Sequence, residues 1–167
     1  MKKLFACILA AAVLFTLLCA PASALGQEMT GSGTRWSPWK AESTMGFETT
    51  EFKAYVEDGT LFLSYPDDLM MYNVRRYPWQ ERTVSNQITA IRFDKNVRRI
   101  EGMSGLEYCS KTKDIYIPAT VTRIDLNAFG LMLSLEKIHF AGSKEQWESA
   151  TAHSAGHSAL PEGAEVV

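Results

Sequence analysis

The stretch IRFDKNVRRIEGMSGLEYCSKTKDIYIPATVTRIDLNAFGLMLSLEKIHFAGSKEQW, residues Ile91–Trp147, repeats itself. Shifted by 24 positions, Ile91 and Phe93 fall on Ile115 and Ile117, Val97 on Val121, Arg99 on Arg123 and Ile100 on Ile124. A further shift of 23 carries Ile115 and Ile117 onto Ile138 and Phe140. In each copy the apolar pair sits at alternate positions, so both side chains point to one side of a short strand. Asp94–Asn96 and Pro118–Thr120 are turns, and Val97/Ile100 and Val121/Ile124 form a second short strand or bend beyond them. Pro118 suits its place, because a residue without an amide hydrogen cannot donate to a ladder. Leu126, Ala128, Phe129, Leu131, Met132 and Leu135 fill the return segment of the second copy. One copy cannot bury this surface alone, so neighbours must stack. The expectation is a β-rich repeat solenoid.

A period of 20–29 residues is the range of leucine-rich repeats, with one strand and one return segment per turn. The repeats and their C-terminal cap are placed at 88–150. Towards the N-terminus, Phe52, Ala54 and Val56 alternate with polar or aromatic residues, as do Leu61 and Leu63 with Phe62 and Ser64. Between them Asp58-Gly59 marks a tight hairpin turn, since glycine takes positive φ at no steric cost and Asp tolerates it. Residues 36–87 are therefore expected to be an N-terminal β-hairpin cap region. Leu69–Ser85 is irregular and interrupted by Pro78, and is read as a loop packed over the first repeat. Trp36 and Trp39 flank Pro38, which forbids a helix interior; they are expected to close the open end of the core.

Residues 1–24 read as a secretory signal peptide: Lys2 and Lys3, an apolar run Leu4–Leu18, then small residues ending at Ala24. Residues 25–35, with Gly31-Ser32-Gly33, read as a flexible linker. Beyond Phe140, Ser143 with Gln146 forms a capping-box signature, and Trp147 on that helix is expected to cover the last repeat. Residues 151–167 are small and polar and are expected to be a loose tail.

The 167 residues carry 17 Lys and Arg against 19 Asp and Glu; without Lys2 and Lys3 the balance is 15 to 19, a net charge of −4. This argues against a nucleic-acid partner. Cys7 and Cys19 leave with the signal, so Cys109 has no intramolecular disulfide partner and is expected to be a buried thiol. No second apolar run approaches the ~20 residues of a membrane span.

Catalytic and metal signatures are weak. His153 and His157 have i, i+4 spacing but lie in a Ser/Ala/Gly stretch without a neighbouring Glu, so no metal site is expected. Asp67-Asp68, Glu48, Glu51 and Glu57 could supply paired carboxylates for a hydrolase, yet adjacent acids after a strand more often make a turn. Ser154 and Ser158 near His157 do not form a nucleophile motif, and no phosphate-cradling glycine loop occurs. Leu160–Gly163 lacks the Thr and the hydrophobic tail of a cell-wall sorting signal. Neither enzyme activity nor a cofactor is expected.

The repeat motif resembles the BspA-type leucine-rich repeat family of bacterial secreted and surface proteins. Ile115–Ile124, followed by Asn127-Ala128-Phe129 and Leu135, is similar to that family's strand, "IP-x-x-V-x-x-I", "AF" and "L-x-x-I" sequence. Phe140–Trp147 resembles its closing motif, and Asp58–Ser64 with Tyr77-Pro78-Trp79 is similar to its N-terminal hairpin and loop. The first copy departs from the pattern, with Gly102–Leu106 where an Ala-Phe pair is usual. The resemblance implies an extracellular protein that binds other proteins. The residues expected to make that contact are Arg92, Tyr116 and His139, one per copy at the outward phase and of types common at binding hot spots. A carbohydrate-binding module built on Trp36, Trp39, Tyr77 and Trp79, or a purely structural accessory module, are the alternatives.

Overall fold

A computed structural model describes residues 27–45, 48–66, 74–102, 105–154 and 160–167. The predicted signal peptide, Asp67, Asp68, His157 and Ser158 lie outside the described residues.

Among the described residues nine strands form: β1 (Trp39–Met45), β2 (Glu48–Glu57), β3 (Thr60–Ser64), β4 (Ala90–Phe93), β5 (Arg99–Ile100), β6 (Asp114–Ile117), β7 (Arg123–Ile124), β8 (Lys137–Phe140) and β9 (Glu165–Val166). Two α-helices among the described residues accompany them, α1 (Arg82–Ser85) and α2 (Lys144–Thr151). Seven strands make one sheet in the order β1-β2-β3-β4-β6-β8-β9, and β5-β7 make a second, two-stranded one. The pairs β1-β2 and β2-β3 are antiparallel; those from β3 to β9 are parallel.

This mixed seven-stranded sheet with two short helices corrects the expected solenoid. A solenoid stacks equivalent units that touch only their neighbours. Here an antiparallel meander continues directly into the edge of the parallel strands, and the chain's last segment returns to the far edge. The repeated segments are the interior of a larger sheet.

The local reasons are plain. Asp58 and Gly59 both take positive φ, 47° and 74°, and turn β2 into β3. Ile91, Ile115 and Ile138 are register partners in β4, β6 and β8 and are fully buried. Burying each such side chain contributes about 1.5–3 kcal/mol. Backbone bonds join equivalent positions between strands: the Lys113 amide donates to the Thr89 carbonyl at 2.8 Å, and Glu136 to Lys113 at 2.8 Å. The Tyr65 hydroxyl donates to the Arg99 carbonyl at 2.9 Å, tying the end of the hairpin to the second sheet.

Three other expectations change. Residues 151–167 were expected to be loose, but Ser154 is buried, donating to the Ile124 carbonyl at 3.1 Å and accepting from the Leu126 amide at 3.2 Å. Further on, Glu165–Val166 adds a strand to β8, with the Val167 amide on the Ile138 carbonyl at 2.9 Å. Small polar residues carry no hydrophobic signal, yet their backbone groups can complete an open edge. The described part of the predicted linker is likewise docked: Thr30 and Lys40 exchange backbone bonds at 3.0 and 2.8 Å, and Gln27 clamps the Glu42 backbone through its amide, donating at 2.8 Å. Trp36 does not close the core. It is 91% exposed, while Trp39 packs against the core beside Trp79.

Helix α2 starts at the capping box, with the Ser143 amide donating to Gln146 Oε1 at 2.8 Å and the Gln146 amide to Ser143 Oγ at 3.3 Å. Trp147 lies edge-on to Phe140, ring centroids 5.5 Å apart.

Candidate functional site

Strand parity decides which side chains face outward. In Leu61-Phe62-Leu63, Ile91-Arg92-Phe93, Ile115-Tyr116-Ile117 and Ile138-His139-Phe140 the flanking residues are buried and the central one is not. Phe62 pairs with Arg92, Arg92 with Tyr116 and Tyr116 with His139. The three residues singled out from the sequence therefore stand side by side on one face.

They form a stack. The Arg92 guanidinium carbon lies 4.2 Å from the centre of the Tyr116 ring. Tyr116 and His139 rings are 4.5 Å apart and within 7° of parallel. His139 Nε2 is 2.8 Å from Asp114 Oδ1, which fixes the imidazole orientation. The stack continues past Arg92: Phe62 pairs across the hairpin with Tyr55, ring centres 4.7 Å apart and 10° from parallel. Phe62 and Tyr55 were not singled out from the sequence. Phe62 sits in the same buried–outward–buried triplet, but Phe62 and Arg92 are 30 residues apart, outside the repeat's period.

The charges around this face are unevenly matched. Lys40 and Lys53 share one carboxylate, Glu51, at 3.0 and 3.3 Å. Burial pushes the Glu51 carboxyl upward, but hydrogen bonds and charge from Lys40 and Lys53 outweigh it and hold the group below the usual range. Arg35 is 3.8 Å from Glu57. Among the described residues no carboxylate pairs with Arg92.

The other candidates separate. Trp79 is fully buried and stacked on buried Tyr77 at 4.8 Å, so Trp36, Trp39, Tyr77 and Trp79 do not make an exposed platform. Glu51 and Glu57 are already engaged with basic side chains. His153 is exposed on a 3-10 turn, and among the described residues no group of three metal-ligating side chains assembles. Cys109 is buried, and desolvation, with a smaller contribution from Glu107, pushes its thiol up to about 12. A thiol so placed stays protonated and is a poor nucleophile. No helix among the described residues is long and apolar enough to cross a membrane. No protein-family model, curated protein or solved structure matches the chain.

Proposed function

We propose that this chain is an exported protein-binding module, adhesin-like and without catalysis, whose contact surface is the outward face carrying Arg92, Tyr116 and His139. One observation carries the reading: an outward-facing arginine is stacked on an aromatic ring and has no carboxylate partner among the described residues. The neighbouring rings restrict the side-chain freedom that binding would otherwise have to remove. Arg and Tyr in a rigid, central patch are the types that dominate interface energies. The secretory-signal pattern at residues 1–24, two lysines and then an apolar run, and the resemblance to BspA-type secreted proteins point the same way.

The test is capture of partners from soluble and surface protein fractions by the full chain and by a triple variant, Arg92→Ala, Tyr116→Ala and His139→Ala. The outward positions make the variant foldable, which circular dichroism checks. A partner held by the parent and lost by the folded variant is the expected result. Equal capture by both moves the site off this face.

A further inference from the structure

Two hollows on the outward face meet at Arg92 and Phe93. The larger, about 440 Å³, is walled by Tyr55 and Phe62 and carries four basic side chains, Arg35, Lys53, Arg92 and Lys95, against one acid, Asp94. The smaller, about 290 Å³, continues past Tyr116 and His139 to Val167. This basic trough lies on a chain whose overall formal charge is −2. Neither Arg92 nor Lys95 has a carboxylate partner among the described residues, Lys53 shares Glu51 with Lys40, and Arg35 is only loosely paired at 3.8 Å.

The rings limit what can lie there. Tyr116 has the Arg92 guanidinium against its ring and is stacked on His139, while Tyr55 and Phe62 are stacked on each other. A sugar platform needs an open ring face, and both faces of Tyr116 and one face each of Tyr55 and Phe62 are already in contact. A ring edge is the positive part of the quadrupole, so it suits an anion. A guanidinium fork suits a carboxylate in particular. From β2 to β8 there are four inter-strand steps of about 4.8 Å, roughly 19 Å, which an extended chain at about 3.3 Å per residue spans with about six residues.

We infer that the occupant of this trough is an extended acidic segment of a partner polypeptide, with a carboxylate on Arg92 and flanking acids towards Lys53 and Lys95. The inference rests on the protein-binding reading above and adds the partner's chemistry to it.

The experiment is fluorescence anisotropy at low ionic strength with the full chain and a labelled hexaglutamate peptide, beside hexaglutamine. A heparin-derived oligosaccharide serves as competitor. Hexaglutamate should bind at least roughly tenfold more tightly than hexaglutamine, as expected for charge-assisted hydrogen bonds worth about 1.5–3 kcal/mol each. Added salt should weaken it. Arg92→Gln should lose roughly tenfold and Lys95→Gln less, while Arg82→Gln, on α1 and away from the trough, should change nothing. Absent binding, equal affinity for the two peptides, equal loss in Arg92→Gln and Arg82→Gln, or tighter binding of the oligosaccharide would each overturn the inference. If a captured partner needs Arg92, Tyr116 and His139 but binds equally well after its acids are changed to amides, the acidic occupant is wrong and the binding face stands. If the triple variant captures that partner as well as the parent does, the binding face itself is wrong.

Discussion

Across β4, β6 and β8 the same positions recur on each strand, whereas β1, β2 and β3 share no such period. In the parallel half, Ile91, Ile115 and Ile138 stack in register, and each is replaceable in kind by its neighbour. In the antiparallel half the buried Leu61 and Leu63 are joined by a cluster of large aromatic rings. Phe52 lies 6.0 Å from the rings of both Tyr65 and Trp79 and 6.2 Å from Tyr77. Repetition spreads the packing energy over many small equal contacts; the cluster concentrates it in a few large ones. Stability should therefore be graded in the parallel half and brittle in the antiparallel one.

The sharpest way to break this contrast is Trp79→Ala. Removing a fully buried indole should cost about 3–5 kcal/mol in urea unfolding. A loss under about 1 kcal/mol, the size of a single methylene deletion, would mean the cluster is not the keystone of its half. Next comes Ser154→Ala, which strips a partner from the Leu126 amide and the Ile124 carbonyl. An expected loss of about 1–3 kcal/mol, with faster exchange of the Leu126 amide, would show that the C-terminal segment locks the parallel half.

A smaller effect is expected from Ile115→Val and, separately, Ile138→Val, about 0.5–1.5 kcal/mol each. Nearly equal losses at the two positions would sharpen the idea of equivalent rungs; a severalfold disparity would end it. The smallest effect concerns pH. Glu51 has its folded pKa lowered, so its contribution is complete above the ordinary carboxyl value and disappears as pH falls through the folded one. Glu51→Gln should lower neutral-pH stability slightly and flatten the acid limb by the same small amount, since partly exposed ion pairs contribute little. An unchanged acid limb would show that Lys40 and Lys53 do not hold this carboxylate in solution.

What the chain alone determined is local. The period-two alternation set which residues of β4, β6 and β8 face inward, because neighbouring side chains on a strand must point to opposite faces. By the same parity Arg92, Tyr116 and His139 were bound to share a face once their strands paired. Asp58-Gly59 set its turn because few residues accept positive φ. The capping box at Ser143 and Gln146 was legible for the same reason, being a bond across three residues.

Only the tertiary structure decided how these pieces join. The repeat suggested a solenoid, but the hairpin lines up parallel to β4 and makes a mixed sheet, which no local rule dictates. That pairing brings Phe62 and Tyr55 beside Arg92 and creates the basic trough. The anchoring of Ser154 and the return of Glu165–Val166 to β8 are likewise contacts between distant parts of the chain. Such contacts leave no periodic trace in the sequence; they form because an apolar cluster and an open sheet edge are available only after the strands have assembled.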